Sequence, residues 1–83
     1  VFTGKGFEAV SAAITKFEYD AALTESLRFI NDPDKEKAAK ACYNCAVFFE
    51  QKNQPDEAIK YLQQSLSLFN LQEARWMLAS LAE

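Results

Sequence analysis

The fold of this protein is decided by residues 39–72, which read AKACYNCAVFFEQKNQPDEAIKYLQQSLSLFNLQ. Small and apolar residues recur at helical spacing on both sides of a short polar break. These positions are Cys42, Cys45, Ala46, Phe49, Ala58 and Leu62. At the break, Asn53 suits the left-handed backbone that ends a helix, and Pro55 suits the first turn of the next helix. The stretch therefore predicts two amphipathic helices that fold back on each other.

The same reasoning extends to the rest of the chain. Apolar spacing and polar breaks predict five helices, over residues 5–16, 19–30, 33–52, 55–69 and from about 71 onward. Asp32 is the predicted cap of the third helix and Asn70 that of the fifth, because both side chains accept hydrogen bonds from free backbone N–H groups. Short connections between helices favour antiparallel neighbours, so we expect the helices to pair as hairpins.

Residues 39–72 resemble the tetratricopeptide repeat (TPR), whose pattern is a large apolar residue, Leu-Gly, an aromatic residue, then Ala, Phe and Pro. Cys42 and Trp76 are 34 residues apart, and Ala22 and Ala58 are 36 apart, close to the period of that family. Several positions depart from the pattern, since Cys42 replaces Trp, Ala46 replaces Gly and Asn70 replaces Pro.

The resemblance implies an all-α fold in which antiparallel helical hairpins stack as a short right-handed superhelix of about five helices. Residues 1–83 would form one domain, with a degenerate repeat at 3–38, the best repeat at 39–72 and a terminal helix at 73–83. Because the chain begins with valine and ends directly after an apolar helical pattern, we expect it to be a fragment of a longer protein.

The repeat core is predicted from side-chain size. Small residues at Ala46 and Ala58 allow two helix backbones to approach, and larger side chains fill the space beside them at interior density. The predicted core residues are Cys42, Cys45, Ala46, Phe49, Ala58, Leu62, Leu66 and Phe69.

Composition narrows the classes of partner. The 83 residues carry a net charge of −3, and the nine Lys and Arg residues form no basic cluster. A nucleic-acid partner is therefore not expected, since binding to phosphates needs a positive surface. Direct membrane insertion is not expected either, because no apolar run approaches the ~20 residues that span a bilayer.

Cys42-x-x-Cys45 is the motif that most strongly suggests chemistry. As a redox pair it would need a position at a helix N-terminus, and the predicted helix places it about two turns inside. As a zinc site it would need four ligands, and the chain has two cysteines and no histidine. We interpret both thiols as core residues, and we expect no metal, no cofactor and no enzymatic activity.

A binding surface is the remaining candidate for function. In the resembled family the first helix of each hairpin lines a concave groove that accepts a peptide or a partner helix. In this chain the corresponding face of the third helix carries Lys40, Tyr43, Asn44, Val47, Glu50 and Gln51. Tyr43 and Val47 form an apolar strip with a polar rim, or else pack against neighbouring helices. The expected partner is a protein or peptide, whose identity the residues do not indicate.

Self-association is the alternative function. Apolar surface near Trp76 and Met77, or near Phe2 and Phe7, could meet a second copy and form a homodimer or a structural module of a larger envelope protein. The compartment stays open between a reducing cytoplasm, which suits two unpaired thiols, and a bacterial periplasm or envelope if an export signal was removed.

Overall fold

The structure is a computed structural model that describes residues 1–82, and within them every regular element is a helix. The helices are α1 Glu8–Thr15, α2 Tyr19–Leu27, α3 Lys35–Gln51, α4 Pro55–Leu68 and α5 Gln72–Leu81. The predicted all-α class and the number of helices are confirmed. None of these helices is both long and apolar enough to cross a membrane, as far as residues 1–82 are concerned.

Each helix packs against its neighbours in the chain. The most extensive contact joins α3 to α4, and further contacts join α1 to α2, α2 to α3 and α4 to α5. The molecule measures 32 × 29 × 17 Å along its principal axes.

The turns after α1 and α3 have the same geometry. In each turn the residue two places beyond the helix adopts a left-handed backbone, Phe17 with φ 59° and Asn53 with φ 63°. Glu18 N–H donates to Ala13 O at 2.8 Å, and Gln54 N–H donates to Phe49 O at 2.9 Å. These are the bonds of a Schellman motif, which satisfies the last carbonyl groups of a helix. The sequence predicts this role for Asn53, whereas the left-handed phenylalanine is a finding of the structure.

The two hairpins correspond to each other at an offset of 36 residues. The offset relates Phe17 to Asn53, and it also relates Ala22 to Ala58, which are both fully buried. Small residues therefore lie at the same position in α2 and α4, and each belongs to a buried cluster that includes residues of the preceding helix.

Two predicted helix caps are corrected by the structure. Asp34, not Asp32, caps α3, because its side chain accepts hydrogen bonds from the backbone of Glu36 and Lys37. Asp32 instead accepts from Asp34 N–H at 2.9 Å, just outside the helix. The residue that precedes α5 is Leu71, and no side chain caps that helix. Leu71 is 6% exposed, so packing and not capping positions the start of α5.

Helix α3 divides the interior between its two sides. One side contributes Ala41, Cys45 and Phe48 to a cluster with residues of α1 and α2. The other side contributes Ala39 and Ala46 to a second cluster with residues of α4 and α5. The centre of the molecule is therefore this one helix, which is covered from both directions.

The predicted core residues occupy three environments. Cys42, Cys45, Ala46, Ala58 and Leu62 are fully buried, and Ala46 and Ala58 belong to the same cluster. Phe49 and Leu66 are half-buried against these clusters. Phe69 corrects the prediction, because its side chain is 42% exposed. Its backbone is extended, with φ −158° and ψ 142°, so the side chain leaves the apolar stripe of α4.

The residues considered for self-association also differ from one another. Phe7 is 3% exposed and belongs to the first cluster, which removes it as a surface contact. Met77 is half-buried against the second cluster. Trp76 is 64% exposed. Of the two pairs, only the indole of Trp76 is offered freely to solvent, since Phe2 is half-buried as well.

Candidate functional site

The predicted binding face of α3 is divided by burial. Glu50 and Gln51 are exposed, and Lys40, Tyr43 and Val47 are half-buried. Asn44 is fully buried, which corrects its assignment to an open surface. The sequence leaves open whether Tyr43 and Val47 form an exposed strip or pack against neighbouring helices. Because both are half-buried, neither alternative holds completely. Residues 1–6, which we call the N-terminal strap, place Phe2 against the N-terminal half of this face.

The carboxamide of Asn44 binds the backbone of Phe2. Phe2 N–H donates to Asn44 Oδ1 at 2.7 Å, and Asn44 Nδ2 donates to Phe2 O at 2.9 Å. A residue in an antiparallel β-strand exchanges the same two groups with the residue opposite. The pair also determines which end of the carboxamide is oxygen, since one end must accept and the other must donate. Both bonds are made to main-chain atoms, so they do not depend on the side chain at position 2.

Two neighbouring side chains of α3 contact the ring of Phe2. The Tyr43 ring meets it edge-on, with centroids 5.3 Å apart and planes inclined by 70°. Lys40 Nζ lies 5.3 Å from the Phe2 ring centroid, and it also lies 3.1 Å from Glu36 Oε2. Edge-on aromatic pairs and ammonium groups over a ring both add to the burial of an aromatic side chain. Lys40, Tyr43 and Asn44 form what we call the Asn44 site.

An open cleft of about 410 Å³ lies between the strap and the start of α3. Its lining combines three lysines, two acidic residues, two phenylalanines and a glycine, namely Phe2, Gly4, Lys5, Phe7, Asp34, Glu36, Lys37 and Lys40. The charges are mixed, and Lys37 Nζ lies 4.4 Å from the centroid of Phe29. Phe2 and Lys40 line this cleft and also contact each other in the Asn44 site. The cleft therefore continues the Asn44 site along the path of the strap.

Electrostatics near the site follow from burial. Burial raises the pKa of Tyr43, and the negative charge of Glu73 on α5 raises it further. The Tyr43 phenol therefore stays neutral near physiological pH. It presents an uncharged aromatic ring to Phe2.

The two cysteines are not part of the Asn44 site. Both thiols are free and fully buried. Burial raises the pKa of Cys42 to about 11 and that of Cys45 to about 12, where the charge of Cys42 acts in the same direction. Reactive cysteines instead have a lowered pKa and partial exposure. Among residues 1–82, no three His, Cys, Asp or Glu side chains are grouped so that they could hold a metal ion.

The sequence predicts Lys40, Tyr43 and Asn44 on one face of α3, but it does not predict that Phe2 contacts them. The strap residue Phe2 is 42 positions away from Asn44 in the chain. Neither periodicity nor a motif relates the two positions. Val47, Glu50 and Gln51 lie nearer the C-terminal end of α3, beyond the part that the strap covers.

A family model described as a domain of unknown function (DUF6340) matches residues 8–81, so the chain belongs to that family. The Asn44 site lies inside the matched region, and the strap lies outside it. No curated protein matches the chain. No solved structure matches it either.

Proposed function

We propose that this DUF6340 domain is a non-catalytic module that binds a protein or peptide along α3. The observation that carries the proposal is the buried carboxamide of Asn44, which holds a backbone N–H and the C=O of the same residue. Binding through the main chain provides affinity for many sequences, while adjacent side-chain contacts provide selectivity.

The arrangement of the helices supports this proposal. The 36-residue correspondence between the two hairpins agrees with the resemblance to TPR proteins, whose helical hairpins stack into curved arrays. We include that right-handed stacking, with α3 lining the inner surface, in the proposal. The high pKa of both thiols favours binding over thiol chemistry.

A peptide-display selection tests the proposed function. A library of random linear peptides is selected on the immobilised full chain carrying Phe2→Ala, because the native ring covers Tyr43. Individual peptides are then measured by calorimetry. We expect Asn44→Ala to weaken their binding by about tenfold or more, since each hydrogen bond contributes about 1 kcal/mol.

Gln63→Ala is the matched control, because it removes an exposed carboxamide from α4, outside the proposed binding face of α3. It should leave affinity unchanged, and circular dichroism should show that both variants remain helical. The proposal fails if no peptide is enriched, or if the enriched peptides bind equally well to folded Asn44→Ala protein.

Self-association is a second candidate function, favoured by a specific observation. Trp76 is 64% exposed on α5, and Phe69 is 42% exposed at the end of α4. Aromatic residues are enriched in protein interfaces, where they contribute a large apolar area. Sedimentation equilibrium of the chain and of Trp76→Gln distinguishes this candidate. A monomer at millimolar concentration would exclude it, and a dimer that Trp76→Gln dissociates would support it.

A further inference from the structure

We propose that the N-terminal strap is an intramolecular ligand, and that the Asn44 site takes, in its place, an extended peptide with an aromatic side chain at the position of Phe2. This inference rests on the proposed function and names the partner chemistry of the same site. The strap and an external peptide would then compete, so that the strap controls access to α3.

The side chain of Asn44 is bound to the strap. This side chain is fully buried, and it is paired with the backbone of Phe2 in both directions. A buried carboxamide that loses its partners is unfavourable. When the strap leaves, the carboxamide exchanges these bonds for water, and another backbone that presents an N–H and a C=O in the same way can replace that water.

The strap is weakly attached to the helices except at Phe2. Val1, Thr3, Gly4 and Lys5 are exposed, and Phe2 is the strap residue that packs against the core clusters. Removing Phe2 from its contacts would therefore release the strap as far as Gly4, whose C=O accepts from Phe7 N–H at 3.0 Å. Phe7 is 3% exposed and stays with α1 and α2, so the release does not open the hydrophobic core.

A glycine hinge precedes Phe7. A side chain on Gly4 would meet nothing within 4 Å, and Gly6 adopts φ +93°, a conformation that glycine tolerates best. Gly6 is held in this turn by Glu8, whereas Gly4 lies in open space and gives the backbone before it several low-energy paths away from α3. The strap can thus leave while α1 keeps its position.

The Asn44 site favours an aromatic side chain at the position of Phe2. The Phe2 ring lies edge-on to Tyr43 and beneath the ammonium group of Lys40. Both contacts depend on the charge distribution of an aromatic ring. An aliphatic side chain of similar size would keep the contact area but lose these interactions, so the site discriminates in favour of an aromatic residue.

Competition between strap and peptide provides the test. The probe is the peptide VFTGKG with blocked ends, titrated into isotope-labelled full chain and followed by NMR. We expect the chain with Phe2→Ala to bind the probe about tenfold more tightly than the wild-type chain, because a short tether holds the native strap at millimolar effective concentration. The shifts should centre on the Asn44 side-chain amide and on Tyr43.

Controls separate the strap from the site. Thr3→Ala alters an exposed strap residue and should bind the probe as weakly as the wild type does. The peptide VLTGKG should bind the Phe2→Ala chain severalfold more weakly than VFTGKG, and VATGKG more weakly still. Equal binding of the three peptides would overturn the aromatic preference.

The remaining outcomes distinguish this inference from the proposed function. If library peptides bind α3 equally well in wild-type and Phe2→Ala chains, the module binds peptides but the strap does not control it. If VFTGKG binds neither chain while library peptides do bind at α3, the strap is not a ligand mimic. A wild-type dimer with contacts between Phe2 of one copy and Asn44 of another would overturn the intramolecular assignment.

Discussion

Alkaline pH should destabilise this protein through its two buried thiols. Burial raises the pKa of Cys42 from an ordinary value of 9.0 to about 11, and that of Cys45 to about 12. Near pH 10 the unfolded chain has lost most of these protons, whereas the folded chain keeps most of them. The unfolded state then binds fewer protons, so the free energy of unfolding falls as pH rises.

The magnitude follows from the two pKa values. Each thiol contributes about 1.4 kcal/mol per pH unit once its unfolded form is ionised. From pH 8 to pH 10 the two thiols together should lower the free energy of unfolding by about 2.5 kcal/mol. This is a large fraction of the stability of a small domain, which is about 5–15 kcal/mol.

Urea unfolding measures this effect, followed by circular dichroism at pH 7, 8, 9 and 10 with a reductant present. The control is Cys42→Ala with Cys45→Ala, which removes both thiols and keeps the other titratable groups. Its stability should fall much less over the same pH range, whatever its absolute value. Equal pH dependence in the two proteins would show that the thiols ionise in the folded state, and it would refute their placement in a dry core.

Two further predictions concern buried hydroxyls and the turn after α1. Ser65→Ala should lower the free energy of unfolding by about 1 kcal/mol, because Ser65 Oγ donates to Ala39 O at 2.8 Å and joins α4 to α3. Ser26 is as buried as Ser65, but its hydroxyl has no hydrogen-bond partner within residues 1–82, so we expect Ser26→Ala to leave the free energy of urea unfolding unchanged. Equal losses of stability in the two variants would contradict this assignment. Phe17→Gly should raise stability by about 1 kcal/mol in thermal melts, since Phe17 has φ 59° and is 77% exposed. A lower melting temperature would instead indicate that its ring stabilises the fold.

Helix number and class could be predicted because they depend on local pattern. Apolar spacing within α3 and α4, and the break at Pro55, are visible in a short window of sequence. Helix ends were less predictable. Asp32 and Asp34 flank the same proline, and either side chain can accept from a backbone N–H, so local sequence does not choose between them.

The left-handed Phe17 shows a different limit. Phenylalanine has no preference for this conformation, and nothing in the local residues predicts it. The hairpin imposes it, because only three residues connect α1 to α2, as only three connect α3 to α4. Packing of the two helices outweighs the local cost at one exposed residue.

Local residue order was sufficient for the five helices, the small residues at Ala46 and Ala58, and the face of α3 that carries Asn44, because helical periodicity relates positions a few residues apart. Tertiary structure alone placed Phe2 on that face, 42 residues from Asn44. It also moved Phe69 into solvent and Phe7 into the interior. Such contacts depend on where the intervening helices carry the chain, and the side chains that meet have no local signal in common.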